Sequence, residues 1–228
     1  MADYKKCYVA FLDLLGFKKM VNTKTCDEIL KVYETVKMPT QVKDIYVGTQ
    51  QMIDMSNVHG KIMSDSVCLY VETSVENGLA ALILLCLVFQ QSLFALKCPV
   101  LVRGAIVSGD IYEDGDIIFG NGITESYLLE ENNAKYPRII INRSIIDEGK
   151  KNTSFMCINA FDFATIEDDD SFFIVDYFKK IDDKENASVE QIMDHIYSVL
   201  DTSNDNSIRE KYLYLKKWMS RKYPDICR

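Results

Sequence analysis

The chain holds two acids whose neighbours suit them to metal and phosphate chemistry. Asp13 closes the apolar run Tyr8-Val9-Ala10-Phe11-Leu12 and is followed at once by Leu14-Leu15-Gly16-Phe17-Lys18-Lys19. An acid at the end of a buried strand, ahead of a turn into a helix, aims its carboxylate out of the core and into the groove above. The turn offers free backbone N–H groups and the helix a positive dipole end, both suited to phosphate, while the carboxylate supplies hard oxygen for Mg²⁺. The competing role for Asp13 is to cap the helix that follows. Asp65 lies in Gly60-Lys61-Ile62-Met63-Ser64-Asp65-Ser66-Val67-Cys68-Leu69-Tyr70-Val71, where two extended runs flank a Ser-Asp-Ser tip. Val67, Leu69 and Val71 alternate with Cys68 and Tyr70, which predicts a β-hairpin with Asp65 at its turn, where an acid also serves as a plain turn former. A strand-end acid beside a hairpin-tip acid lets two carboxylates from distant sequence meet over one sheet and clamp two metal ions.

The elements that must position these acids follow in a recognisable order. Strand 7–13 leads to a helix around 25–37 with Pro39 close behind, a mixed segment 40–58, the hairpin 59–73 and an intensely apolar helix 76–96. Strand 99–107 is ended by Ser108-Gly109-Asp110, and a short arm 110–118 leads to a helix 119–132, strand 137–142 and a short helix 143–150. Strand, helix, hairpin, helix, strand is the order of an α+β fold, a ferredoxin-like split βαβ palm with helices on one face and an open face for substrate. The acids Glu167-Asp168-Asp169-Asp170 precede one more strand, 172–178; they lack the spaced ligands of a Ca²⁺ loop and fit a solvated turn. The acidic loop Asp182-Asp183-Lys184-Glu185-Asn186 leads into helices near 187–201 and 206–222. The expected division is a catalytic domain over 1–180 and a C-terminal helical extension over 181–228 packed on it.

At 228 residues and 48% hydrophobic, the chain can bury a sizeable core in one domain, or one domain with appendages. A net charge of −8 argues against a nucleic-acid groove and against an anionic membrane surface. The seven cysteines, at 7, 26, 68, 86, 98, 157 and 227, form no C-x-x-C pair and sit mostly in apolar runs, as buried thiols of a reducing compartment do. His59 and His195 lack zinc-ligand spacing. Met1-Ala2-Asp3-Tyr4-Lys5-Lys6 leads straight into a strand, not a secretion signal, so the expected location is cytoplasmic. Gln90-Gln91-Ser92 interrupt the apolar run 79–89 before membrane length, which makes it a buried helix rather than a span.

Phe11-Leu12-Asp13-Leu14-Leu15-Gly16-Phe17 resembles the first metal motif of class III nucleotide cyclases, and Met63-Ser64-Asp65-Ser66-Val67 resembles the second. Arg103-Gly104-Ala105-Ile106-Val107-Ser108-Gly109-Asp110, followed by Ile118-Phe119-Gly120-Asn121-Gly122-Ile123-Thr124-Glu125-Ser126-Tyr127-Leu128-Leu129-Glu130, is similar to the family's strand, arm and strand-to-helix block. Within the family the likeness is greatest to the small stand-alone pyrimidine nucleotide cyclases of the Pycsar anti-phage systems. Those also carry a run like Tyr136-Pro137-Arg138-Ile139-Ile140-Ile141 and a C-terminal helix like Arg209-Glu210-Lys211-Tyr212-Leu213-Tyr214-Leu215. The motifs are specific in combination rather than singly.

The resemblance implies roles residue by residue. Asp13 and Asp65 would be the catalytic metal carboxylates, the carbonyl of Leu14 a third ligand for two Mg²⁺ or Mn²⁺ ions per site, and the amides of Leu15, Gly16 and Phe17 the triphosphate cradle. Lys61 matches a base-contacting lysine, although an exposed strand lysine is the other role open to it. Thr124 falls where the family has asparagine near the ribose, and Leu128 where it has its transition-state arginine. Arg103 or Arg138 would then supply that cation. Adenylate cyclases of the family pair the lysine with an aspartate; the matching position is Ile117, with Asp116 one residue off. Guanylate cyclases put glutamate at the Lys61 position. A pyrimidine fits the incomplete purine patterns better, with UTP preferred over CTP because Lys61 can only donate. The resemblance implies a homodimer with sites at the interface, a nucleoside triphosphate substrate, and a cyclic product that activates a separate effector protein in anti-phage defence. A purine cyclase and a catalytically silent nucleotide-binding module are the alternatives.

Overall fold

The computed structural model describes residues 3–47, 51–96, 98–178 and 186–225. Cys227 and the acids 182–185 lie outside the described residues. β1 (Lys5–Leu14) is the strand about which the others are laid. Its residues Cys7 through Leu12 are buried on both faces, which explains why the run is apolar without a break until Asp13. β5 (Ser66–Glu72) and β6 (Val102–Asp114) flank it, both antiparallel, and β4 (His59–Met63) pairs with β5. Beyond β6 come β8 (Ile139–Ile141), parallel to it, then β10 (Phe173–Val175) and β9 (Thr165–Glu167), both antiparallel. The order is β4-β5-β1-β6-β8-β10-β9, with β7 (Ile117–Phe119) paired to the far end of β6. The first four strands have the ferredoxin-like split βαβ arrangement expected from the sequence. β2 (Asp44–Val47) and β3 (Gln51–Asp54) form a separate hairpin inside the segment 40–58.

Side chains alternate across β1, so Tyr8, Ala10, Leu12 and Leu14 face one way and Cys7, Val9, Phe11 and Asp13 the other. The first face is covered by α3 (Gly78–Phe94), nearly every residue of which is buried. That burial, not lipid, accounts for its apolar run; among the described residues no helix is long and apolar enough to cross a membrane. The second face carries an apolar cluster of Cys7, Val9, Cys68, Tyr70, Val107 and Ile111, against which Ile123 and Leu129 of α4 (Asn121–Asn133) pack. The expectation of one open face is therefore corrected. A sheet face that apolar must be covered, and α4 crosses it.

The helix expected around 25–37 is α2 (Cys26–Val36), opened by a capping box between Thr25 and Glu28, and the helix expected after the Asp13 turn is α1 (Phe17–Thr23). One expected boundary moves. Ser108-Gly109-Asp110 does not end its strand, because β1 pairs straight through it, with Tyr8 opposite Ser108, Cys7 opposite Gly109 and Lys6 opposite Asp110. Gly109 is there for closeness rather than for a turn: a Cβ on it would meet Gly122 Cα of α4 at 2.5 Å. Asn121 Oδ1 accepts from the Asp110 amide at 2.6 Å and fixes the same crossing. After β8 come α5 (Arg143–Lys151) and α6 (Asn159–Ala164).

The chain divides into two units, one of residues 1–134 and 138–177, the other of 135–137 and 178–228. In the second, α7 (Asn186–Thr202) packs on α8 (Asn206–Lys222), and His195 Nε2 lies 3.2 Å from the Tyr212 hydroxyl. Tyr136 of the short internal segment stacks on Tyr214 at 4.6 Å between ring centroids.

The Gly109 to Gly122 contact leaves no room for a methyl group between two backbones. Gly109→Ala is expected to lower unfolding stability by roughly 1–3 kcal/mol, the usual cost of overpacking. A urea midpoint equal to that of the wild type would show that β6 and α4 are not held this tightly.

Candidate active site

The β5-β1-β6 register builds one corner of the sheet. Asp13 lies opposite Ser66 on one side and Arg103 on the other, and the Leu14 amide donates to the Asp65 carbonyl at 2.8 Å. The strand-end acid and the hairpin-tip acid are thus neighbours, tied through backbone. Asp65 sits in the β4–β5 turn beside Ser64, whose φ of 57° puts it in the left-handed region. Tyr33 of α2 braces this turn: its hydroxyl donates to the Ser64 carbonyl and its ring meets Phe17 edge-on at 5.9 Å. Burial, with the Asp65 charge second, raises the Tyr33 hydroxyl pKa. Asp13 caps no helix. The cap of α1 is Gly16, at φ 83°, and that of α2 is Thr25.

Arg103 is the cation of this corner. Its Nε donates to Asp13 Oδ2 at 3.0 Å and lies 2.5 Å from Oε1 of Glu130, an α4 acid only 1% exposed. Nε has a single hydrogen, directed at Asp13, so the approach to Glu130 is a charge contact, and Oε1 has no hydrogen-bond partner among the described residues. Burial pushes the Glu130 carboxyl up to about 7, against the pull of Arg103 and with the push of Asp13. Glu130 went unassigned in the sequence. The one signal for it is its place six residues after Thr124 on a helix whose other side faces the sheet.

Other expected site residues stand elsewhere. The Leu15 amide, expected to hold phosphate, donates instead to the Leu101 carbonyl at 2.9 Å; no described residue accepts from the amides of Gly16 and Phe17. Arg138 is buried and its guanidinium is engaged by Asp168 at 2.6 Å, Asp170 at 2.5 Å and the Asn133 carbonyl. That corrects the solvated-turn expectation for 167–170 in part: Asp168 and Asp170 serve a buried arginine, while Glu167 and Asp169 are exposed. Lys61 Nζ donates to the Gly115 carbonyl at 2.7 Å and pairs with Glu113 at 2.9 Å, where the β6–β7 arm folds back to β4. The lysine therefore has an acid partner, Glu113, rather than Asp116 or Ile117. Ile117 is 60% exposed, and Thr124 and Leu128 lie on the exposed side of α4. Among the described residues no hydrogen bond or ion pair joins Ile117 or Thr124 to Asp13 or Asp65. Beside Glu113, a cleft of about 100 Å³ is lined by Lys5, Cys7, His59, Tyr70, Glu72 and Ile111 among others.

Two carboxylates and a carbonyl are hard oxygen donors of the kind Mg²⁺ and Mn²⁺ take, usually with substrate phosphates completing the shell. Among the described residues no three His, Cys, Asp or Glu side chains cluster as a self-sufficient metal cage. Asp13 and the Leu14 carbonyl at the end of β1 and Asp65 in the adjoining turn are oxygen donors of that kind, tied together by the Leu14 to Asp65 backbone hydrogen bond.

The same arrangement of strands and helices occurs in solved structures. The monomeric guanylyl cyclase domain of the RhoGC fusion protein from the aquatic fungus Blastocladiella emersonii superposes with a TM-score of 0.54 at 14% identity. The match covers 76% of this chain and 96% of that domain. A dimeric form of the guanylyl cyclase domain from the same protein gives 0.51 at 12% identity, over 75% and 96%. The likeness is one of fold: this chain has the α+β palm fold of class III nucleotide cyclase domains. No protein-family model matches the sequence, and no curated protein does.

The Glu130 carboxyl makes stability depend on pH. Its folded value near 7 lies above an unfolded value of about 4.3. Between the two, the folded chain holds a proton that the unfolded chain has released, so this contribution is full below about pH 4 and is lost as pH rises through 7. Melting temperatures measured from pH 5 to 8 are expected to fall more steeply for the wild type than for Glu130→Gln. Parallel curves would contradict a buried, high-pKa Glu130.

Proposed function

We propose that the chain is a nucleotide cyclase that converts a nucleoside triphosphate to its 3′,5′-cyclic monophosphate and pyrophosphate. The observation that carries this is the backbone-linked pair Asp13 and Asp65, with Arg103 beside it, at the edge of a cyclase-type palm. Asp13 and Asp65, with the Leu14 carbonyl, would hold two Mg²⁺ or Mn²⁺ ions. Bound there, the ions supply charge neutralisation of the phosphates and a lowered pKa at the ribose 3′-hydroxyl. The chain's own work is positional. The Gly16 and Phe17 amides donate to phosphate oxygens, and the Arg103 guanidinium lies where negative charge grows as the bond from O3′ to the α-phosphorus forms and pyrophosphate leaves. Arg103 takes this role in place of Leu128, and Arg138 does not, being held by Asp168 and Asp170.

The active form is a homodimer. Ile117 and Phe119 on the arm and Tyr127 and Leu128 on α4 are exposed, an apolar surface that a second copy would cover. Thr124, Ile117 and Lys61 of one copy would then complete the site begun by Asp13 and Asp65 of the other. The base is a pyrimidine, UTP ahead of CTP: Ile117 offers an apolar wall and Lys61 a donor for a ring carbonyl. By its likeness to the Pycsar cyclases, the cyclic product activates a separate effector in anti-phage defence. A purine cyclase is the second reading, and Glu113 favours it, because it gives Lys61 the acid partner that the sequence pattern lacked.

Asp13→Asn, which keeps shape and removes charge, and Asp65→Ala are each expected to abolish turnover while the chain still folds cooperatively, at a cost of roughly 0.5–3 kcal/mol as for other partly buried positions. Mixing Asp13→Asn chains with chains carrying a bulky substitution at Thr124 should restore part of the activity. Full activity in both single mutants would end the two-carboxylate site, and a mixture that stays inactive would end the shared one.

A further inference from the structure

The guanidinium of Arg103 is held at one end only. Its Nε is fixed between Asp13 Oδ2 at 3.0 Å and Glu130 Oε1 at 2.5 Å, while no described residue accepts a hydrogen bond from its two terminal amino groups. The side chain is 29% exposed, so these groups reach solvent beside the Asp13 carboxylate. A surface arginine with one partner samples many rotamers; one fixed at Nε by two acids from different elements, β1 and α4, does not. Glu130 is the unusual partner. It is buried on a helix whose neighbouring inward residues are apolar or small, and burying a carboxylate there costs free energy that nothing in the packing of α4 requires. Ser126, one turn earlier on the same side, is buried and bonded within the helix, to the Ile123 carbonyl.

We propose that Glu130 is a positioning residue that locks Arg103 by its Nε, so that the terminal amino groups face the reacting phosphates next to Asp13. This rests on the cyclase reading. The substrate group recognised is the pyrophosphate end of a nucleoside triphosphate. The arrangement puts a forked donor into the site from β6, on the side of Asp13 away from Asp65, where it can meet oxygens that the metals do not.

The test uses the full chain with Mn²⁺ and inorganic pyrophosphate, titrated by calorimetry, and in parallel the turnover of its best nucleotide. Arg103→Ala is expected to weaken pyrophosphate binding and lower kcat by about 100-fold, as for loss of one preorganised donor. Glu130→Gln, which removes the charge contact at Nε, should lower both by about tenfold, with KM for nucleotide changed less than kcat, the scale typical of an outer-shell orienting residue. Because Glu130 acts only through Arg103, adding Glu130→Gln to Arg103→Ala should change neither by more than about twofold. Arg103→Lys keeps the charge without the fork and should behave like Arg103→Ala. Equal losses from Glu130→Gln with and without Arg103, or full pyrophosphate affinity in Glu130→Gln or Arg103→Lys, would overturn the proposal. Pyrophosphate binding that depends on both residues in a chain that forms no cyclic nucleotide would uphold it and overturn the cyclase reading instead.

Discussion

Two carboxylates, those of Asp13 and Glu130, meet on one guanidinium at a corner of the sheet, where the backbone of Asp65 is also tied to the end of β1. Like charges this close would repel strongly in a half-buried setting, and Arg103 makes the pair tenable by standing between them. Everything else serves to bring the four groups together. The unbroken pairing of β1 with β6 puts Arg103 opposite Asp13, the β4–β5 turn returns Asp65 to the end of β1, and the Gly109 to Gly122 crossing lets α4 lie close enough to deliver Glu130.

This explains the odd composition of the block from 103 to 130. Glycines at 104, 109, 115, 120 and 122 punctuate what would otherwise be an ordinary strand and helix. At Gly109 and Gly122 the backbones of β6 and α4 nearly touch, and at Gly104 a side chain would strike the Phe11 carbonyl of β1. The glycines set the height of α4 above the sheet and therefore where Glu130 meets Arg103.

The palm was legible because its signals are local. Apolar alternation in 66–72, the apolar run of 8–12 and the order of elements need no knowledge of partners. The pair of acids was legible because strand-end and hairpin-tip positions are both defined by sequence. The rest depended on contacts between distant segments. Nothing near Leu15 says that Leu101 will accept from its amide, and nothing near Arg138 says that Asp168 and Asp170 will hold it. Glu113 was missed because an acid at the end of a strand looks solvated until the arm folds back to Lys61. Ser108-Gly109-Asp110 has the composition of a turn, and only the register with β1 shows it to be strand.

The central claim is that this corner performs intramolecular phosphoryl transfer on a nucleotide. The most direct measurement incubates purified full-length chain with ATP, GTP, CTP or UTP and Mn²⁺ and identifies the products by mass. Pyrophosphate released in equal amount with a 3′,5′-cyclic monophosphate, cyclic UMP foremost, is the predicted result. A cyclic purine nucleotide as the main product would keep the mechanism and contradict the base assignment. No cyclic product from any of the four would contradict the claim itself.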